Sequence, residues 1–273
     1  MNLIITLGIA FFALCLLWVV QSVVLKLSGN PLAWPLRYET RAPVVRWTGR
    51  LMIQVSWLII LIGTPLALGI RPVDALRQAF PTPVPWREMV IAFLLVFLPA
   101  CVGFALYISV GWVRIEPKFD RKTRRGKVFR RFLTPLPLAT MEEGVFRGIF
   151  LEQFIQAMPH SHGGSAIAIV LSSALFSSTH FIRRPAPNIP VLQQAWGFFI
   201  AGCLFGLAYI LGGHSLWLPI VMHATAIFVI EMTRLYTAFN APRWLAGYSE
   251  SPQSGLFGSI VTAGVGIALL MLV

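Results

Sequence analysis

Charge is what this sequence has least of. Asp, Glu, Lys and Arg make up 12% of its 273 residues, where a soluble domain carries about a quarter. With 57% hydrophobic residues and a mean hydropathy of +0.76, such a chain has too little polar surface to face water throughout, so lipid is its main solvent. Acids are scarcer than bases, ten against 22. The two aspartates, Asp74 and Asp120, lie in connections between apolar runs, which excludes a membrane aspartyl dyad. There is no H-E-x-x-H helix and no G-x-S-x-G elbow, so two further hydrolase patterns are unsupported. The three cysteines, Cys15, Cys101 and Cys203, each sit inside an apolar run and form neither a disulfide nor a metal pattern. No polar half and no internal repeat divides the chain. It reads as one membrane domain, residues 1–273, with a core of about 133–236.

What the sequence does have is apolar runs of bilayer length, roughly 17–25 residues each. They predict an all-α, polytopic integral membrane helical bundle with about eight transmembrane helices, near 3–25, 51–70, 88–112, 133–158, 164–182, 190–212, 215–236 and 256–273. The first reads as a retained span, because no basic residue precedes it and no small-residue cleavage site follows. Of the 22 basic residues, 18 fall in alternate connections: Lys26, Arg37, Arg41, Arg46 and Arg50; nine between Arg114 and Arg131; Arg183 and Arg184; Arg234 and Arg243. Arg71, Arg77 and Arg87 fall opposite. The positive-inside rule then puts both termini outside, in a membrane such as the bacterial inner membrane. The +12 formal charge therefore reports topology and contact of the basic loops with anionic lipids, with no nucleic acid implied. His160, His162 and His214 lie in outer turns and read as surface histidines before metal ligands.

Against that background the stretch "TMEEGVFRGIF" at Thr140–Phe150 is out of place. Thr134-Pro135 or Leu136-Pro137 can start a helix, which puts Glu142 one to two turns inside the membrane. Glu143 and Arg147 are spaced i,i+4 in the order that favours pairing, and Glu142 is left over on another face. A capping box from Thr140 to Glu143 would explain Glu143 but not Glu142. Ionisable groups at this depth cost several kcal/mol and are usually functional. The next span carries Phe176 and His180 in "LFSSTHFIRR", and the seventh carries His223, with Glu231 pairing with Arg234. One glutamate and two histidines can activate a water and hold an oxyanion. The same three could hold zinc, and a dyad with Ser177 or Ser178 is a weaker option.

The order Glu142-Glu143-x-x-x-Arg147, Phe176-x-x-x-His180, then His223 in "LPIVMHATAIF" resembles the CAAX-protease and bacteriocin-processing family of intramembrane proteases. The resemblance spans about Thr140–Phe228. It implies an endopeptidase in which Glu142, assisted by His180, activates water while His223 steadies the oxyanion. Glu143, Arg147 and Phe176 would shape the site, no cofactor would be needed, and zinc is the runner-up. The implied substrate is a membrane-associated protein or peptide, cut near its C-terminus or close to the membrane. One position departs from the family pattern: Ile227 stands four residues after His223, where an asparagine donor is usual. A proton-coupled transporter component and a non-catalytic immunity or scaffold protein are the competing readings.

Overall fold

The computed structural model describes residues 2–30, 43–117, 119–159, 161–181, 190–248 and 251–272. The basic residues Arg37, Arg41, Lys118, Arg183 and Arg184 and the turn residue His160 lie outside them. In chain order the elements are α1 (Asn2–Leu27), α2 (Pro43–Ala67), α3 (Pro72–Ala79), α4 (Trp86–Ser109), β1 (Val113–Ile115), α5 (Arg121–Leu133) and α6 (Pro135–Glu143). A π-helical segment, Gly144–Leu151, follows, then α7 (Glu152–Ala157), α8 (His162–Thr179), α9 (Val191–Leu211), α10 (Trp217–Tyr236) and β2 (Thr237–Phe239). The chain ends with α11 (Arg243–Ala246), a 3-10 turn at Pro252–Ser254, and α12 (Leu256–Leu272).

The protein is an all-α polytopic membrane chain. Five described helices, α1, α2, α4, α9 and α10, are long and apolar enough to cross a bilayer, and α12 is a shorter apolar helix. Large apolar side chains point outward along them, as lipid solvation requires: Phe11 is 70% exposed and Leu98 53%. The fourth expected span, 133–158, is not one helix but α6, the π segment and α7. Its start at Pro135 follows from proline's fixed φ. Thr140 lies inside α6, its hydroxyl donating back to Leu136 O at 2.9 Å, so it caps nothing. The basic connection 114–131 is also more ordered than a loop. Residues 121–133 form α5, whose first turn is capped by Asp120 accepting from Thr123 N at 3.0 Å.

The chain forms two compact units. In the first, residues 1–79 and 144–188, α1 packs along α2, and polar side chains join them. Ser56 Oγ donates to Met52 O and lies 3.2 Å from Ala13 O, and Gln21 Nε2 donates to Val45 O. Such bonds hold helices together where lipid gives no hydrophobic drive. The π segment packs against α2, α7 and α8. In the second unit, residues 80–143 and 189–273, α10 packs against α4, α5, α6 and α9. Its apolar core includes Ala92, Leu204, Phe205, Leu218, Met222 and Leu269. β1 and β2 pair antiparallel, Val113 opposite Phe239 and Ile115 opposite Thr237. That pairing fixes the chain entering α5 beside the end of α10.

Candidate active site

Within the second unit, α6 ends on its two glutamates and α10 brings His223 to meet both. His223 Nδ1 donates to Glu143 Oε1 at 2.6 Å, and its Nε2 stands 3.7 Å from Glu142 Oε2. The Glu143 side chain is fully buried and that of Glu142 keeps 15% of its surface. Phe205 of α9 stacks nearly parallel on the imidazole, ring centres 4.7 Å apart and planes 21° from coplanar. The ring is thus fixed by a face and an edge. With Nδ1–H committed to Glu143, Nε2 is the basic nitrogen of the neutral ring, and it looks toward Glu142.

Glu143, which α-helical spacing offers to Arg147, is also met by a side chain on a different helix, His223 of α10. Thr225, two residues after His223, donates its hydroxyl to Val221 O at 2.7 Å, so its single proton serves its own helix. Glu231 does pair with Arg234, 3.1 Å from Nη1 to Oε1. It also takes Arg131 of α5, whose Nε lies 3.0 Å from Oε2 and whose Nη1 donates to the Glu231 carbonyl.

Within the first unit, Phe176 is the hub. The Arg147 guanidinium lies over its ring at 4.8 Å, while Phe146 and His180 meet it edge-on at 5.0 and 4.7 Å. Trp57 of α2 meets Phe146 in turn. The Arg147 side chain is fully buried, a permanent cation whose desolvation is offset in part by this ring face. His180 closes α8, and its Nδ1–H donates to Phe176 O at 2.9 Å. As with His223, that bond leaves Nε2 as the basic nitrogen.

The π segment has a local cause. It opens on Gly144, the weakest helix former after proline, and a Cβ there would meet Leu61 Cδ2 at 2.9 Å. Ser172 of α8 donates to Phe146 O at 2.9 Å, giving a carbonyl of the irregular ladder a hydroxyl partner. Phe205, Ser172 and Arg131 escape sequence reasoning because each stands in an ordinary apolar or basic run. The Gly144 that follows the glutamates was the one local signal of irregularity.

No three His, Cys, Asp or Glu side chains among the described residues are grouped to hold a metal ion. What fold and site define, then, is a polytopic helical membrane protein that sets two carboxylates, one of them fully buried, against one imidazole. Comparison with known families narrows this: the family model described as type II CAAX prenyl endopeptidase Rce1-like matches residues 125–229. That match bears out the family resemblance over a stretch that contains Glu142, Glu143, Arg147, Phe176, His180 and His223. It runs from within α5 to within α10 and covers less than half of the chain. Searches of curated proteins and of solved structures gave no match.

Proposed function

We propose that the chain is an intramembrane endopeptidase that hydrolyses a peptide bond near the C-terminus, or in the membrane-proximal part, of a membrane-associated protein or peptide. The observation that carries this reading is one imidazole set between two carboxylates, one of them fully buried, where ionisable groups are costly. Glu142 is the general base. It takes a proton from water, the hydroxide adds to the scissile carbonyl carbon, and the proton passes to the departing amine as the C–N bond breaks. Glu143 holds the His223 ring and its tautomer, as a carboxylate does in a hydrolase triad. His223 Nε2, once protonated, donates to the oxyanion. By the family resemblance, His180 assists Glu142 through its own Nε2, and Arg147 with Phe176 supports that histidine. This chemistry requires Glu and His alone.

The test uses purified protein in proteoliposomes with lipid-tethered peptides as substrates. Wild type is expected to cleave. Glu142→Gln should lose about 10²–10⁴-fold in rate while its thermal unfolding is unchanged. Equal turnover by the two would overturn the reading, as would uptake of a proton-coupled solute in place of cleavage. Chelation followed by metal analysis separates glutamate from zinc chemistry: activity unaffected and no stoichiometric metal supports the former, and loss restored by zinc supports the latter.

A further inference from the structure

Outside the catalytic residues, the strongest concentration of charge is α5. Its sequence, Arg121 to Leu133, carries seven basic residues and no acid. Two neighbours are already engaged: Arg131 is bound to Glu231, and Lys127 lies over the Phe119 ring at 4.1 Å. Arg121, Arg124 and Arg125 are different. They share one face of the helix, and among the described residues none of them has a carboxylate within ion-pair distance.

These three arginines line a groove of about 520 Å³ together with Tyr236 at the end of α10. Arg124 is set in place, its guanidinium over the Tyr236 ring at 5.6 Å and its Nη1 donating to Phe119 O at 3.4 Å. The far end of the groove is apolar, built by Val128, Phe129 and Phe132. Phe129 and Phe132 are each about two-thirds exposed, at 67% and 66%. Guanidinium forks beside an aromatic hydroxyl suit a phosphate. An exposed aromatic strip continuing from them suits the first methylenes of an acyl chain.

We propose that this groove is a specific binding site for an anionic phospholipid, with the headgroup phosphate held by Arg121, Arg124 and Arg125 and the glycerol end laid over Phe129 and Phe132. The occupant is a lipid and not a free phosphate, because the cationic and apolar halves form one continuous groove on a helix of a membrane protein. The site is distinct from general attraction of a basic loop to an anionic leaflet. General attraction depends on the number of charges; this site depends on which face of α5 carries them. Arg130 and Lys122 lie on the same helix and do not line the groove.

The test compares two double variants of the whole protein with equal charge loss, Arg124→Gln with Arg125→Gln, and Lys122→Gln with Arg130→Gln. Each is titrated in detergent with dioleoyl phosphatidylglycerol, with the phosphatidylcholine analogue, and with inorganic phosphate, and bound lipid is counted by native mass spectrometry. Wild type is expected to hold one phosphatidylglycerol in preference to phosphatidylcholine. The groove variant should weaken that by about tenfold or more, and the control pair by much less. Restoring arginine at position 124 alone should recover part of the loss, and circular dichroism should show α-helix retained. Equal weakening in both variants would reduce the site to diffuse attraction and overturn it. So would equal binding of the two lipids, full competition by inorganic phosphate, or loss of helix in the groove variant.

Discussion

At the scale of single residues, four substitutions separate the roles of the two glutamates and of the side chains on α9 and α10. Glu142 and Glu143 are neighbours in sequence, yet one is the proposed base and the other holds the ring of His223. Glu143→Ala should therefore lower kcat by about 10²–10⁴ with little change in KM, because the ring loses its tautomer and orientation. A steady-state comparison with Glu142→Gln on one peptide checks it, and a rise in KM alone would assign Glu143 to substrate binding. Phe205→Leu keeps an apolar group of similar bulk but removes the stack. It should cost less than about 1.5 kcal/mol of stability and still lower kcat, read by thermal unfolding and turnover on one preparation. Ile227→Asn introduces a donor one turn beyond His223, on a helix whose nearest hydroxyl, that of Thr225, is committed to Val221 O. It should raise kcat, by up to the 10²–10³ that one oxyanion donor is worth; a collapse of activity in a folded variant would put Ile227 in a packing role.

At the scale of elements, the π segment and α5 are where the structure goes beyond the sequence. Hydrophobicity made the spans legible because a bilayer demands length and apolarity, and α1, α2, α4, α9 and α10 satisfy both. The glutamate pair and His223 were legible because ionisable groups stand out in apolar runs. The broken fourth span was not. It depends on Ser172, far along the chain, reaching Phe146 O, and no periodicity within 133–158 contains that information. Ser172→Ala leaves a buried carbonyl without its hydroxyl and should cost about 1–3 kcal/mol, measured by unfolding in mixed micelles. The cap of α5 gives a pH signature. Hydrogen bonds from Thr123, hydroxyl first and then backbone N–H, hold the Asp120 carboxyl below its ordinary value. Its contribution to α5 is thus present above the unfolded carboxylate pKa and is lost as pH falls through the lower folded value. Hydrogen exchange at 121–124 should be slower in wild type than in Asp120→Asn at neutral pH, and the difference should vanish in acid.

At the scale of the whole molecule, charge distribution sets sidedness. The excess of Lys and Arg in alternate connections predicts that α5 faces the cytoplasm and α3 the outside. In a background without Cys15, Cys101 and Cys203, Gln78→Cys should react with an impermeant maleimide on intact cells, and Gly126→Cys only after permeabilisation. The reverse pattern would invert the orientation. The buried Arg147 has a further consequence, for how the chain is made. Residues 142–147 carry three ionisable groups, and each such group costs a helix about 2.5–3.5 kcal/mol at mid-membrane during insertion. The segment from Pro135 to Ala157 is therefore a poor insertion signal by itself. Its ring partner for the arginine and its hydroxyl for the Phe146 carbonyl, Phe176 and Ser172, both arrive later on α8. A nascent chain ending before Ser161 should leave that segment waiting outside the bilayer, and one extended through Thr179 should draw it in, so that the two arms enter together.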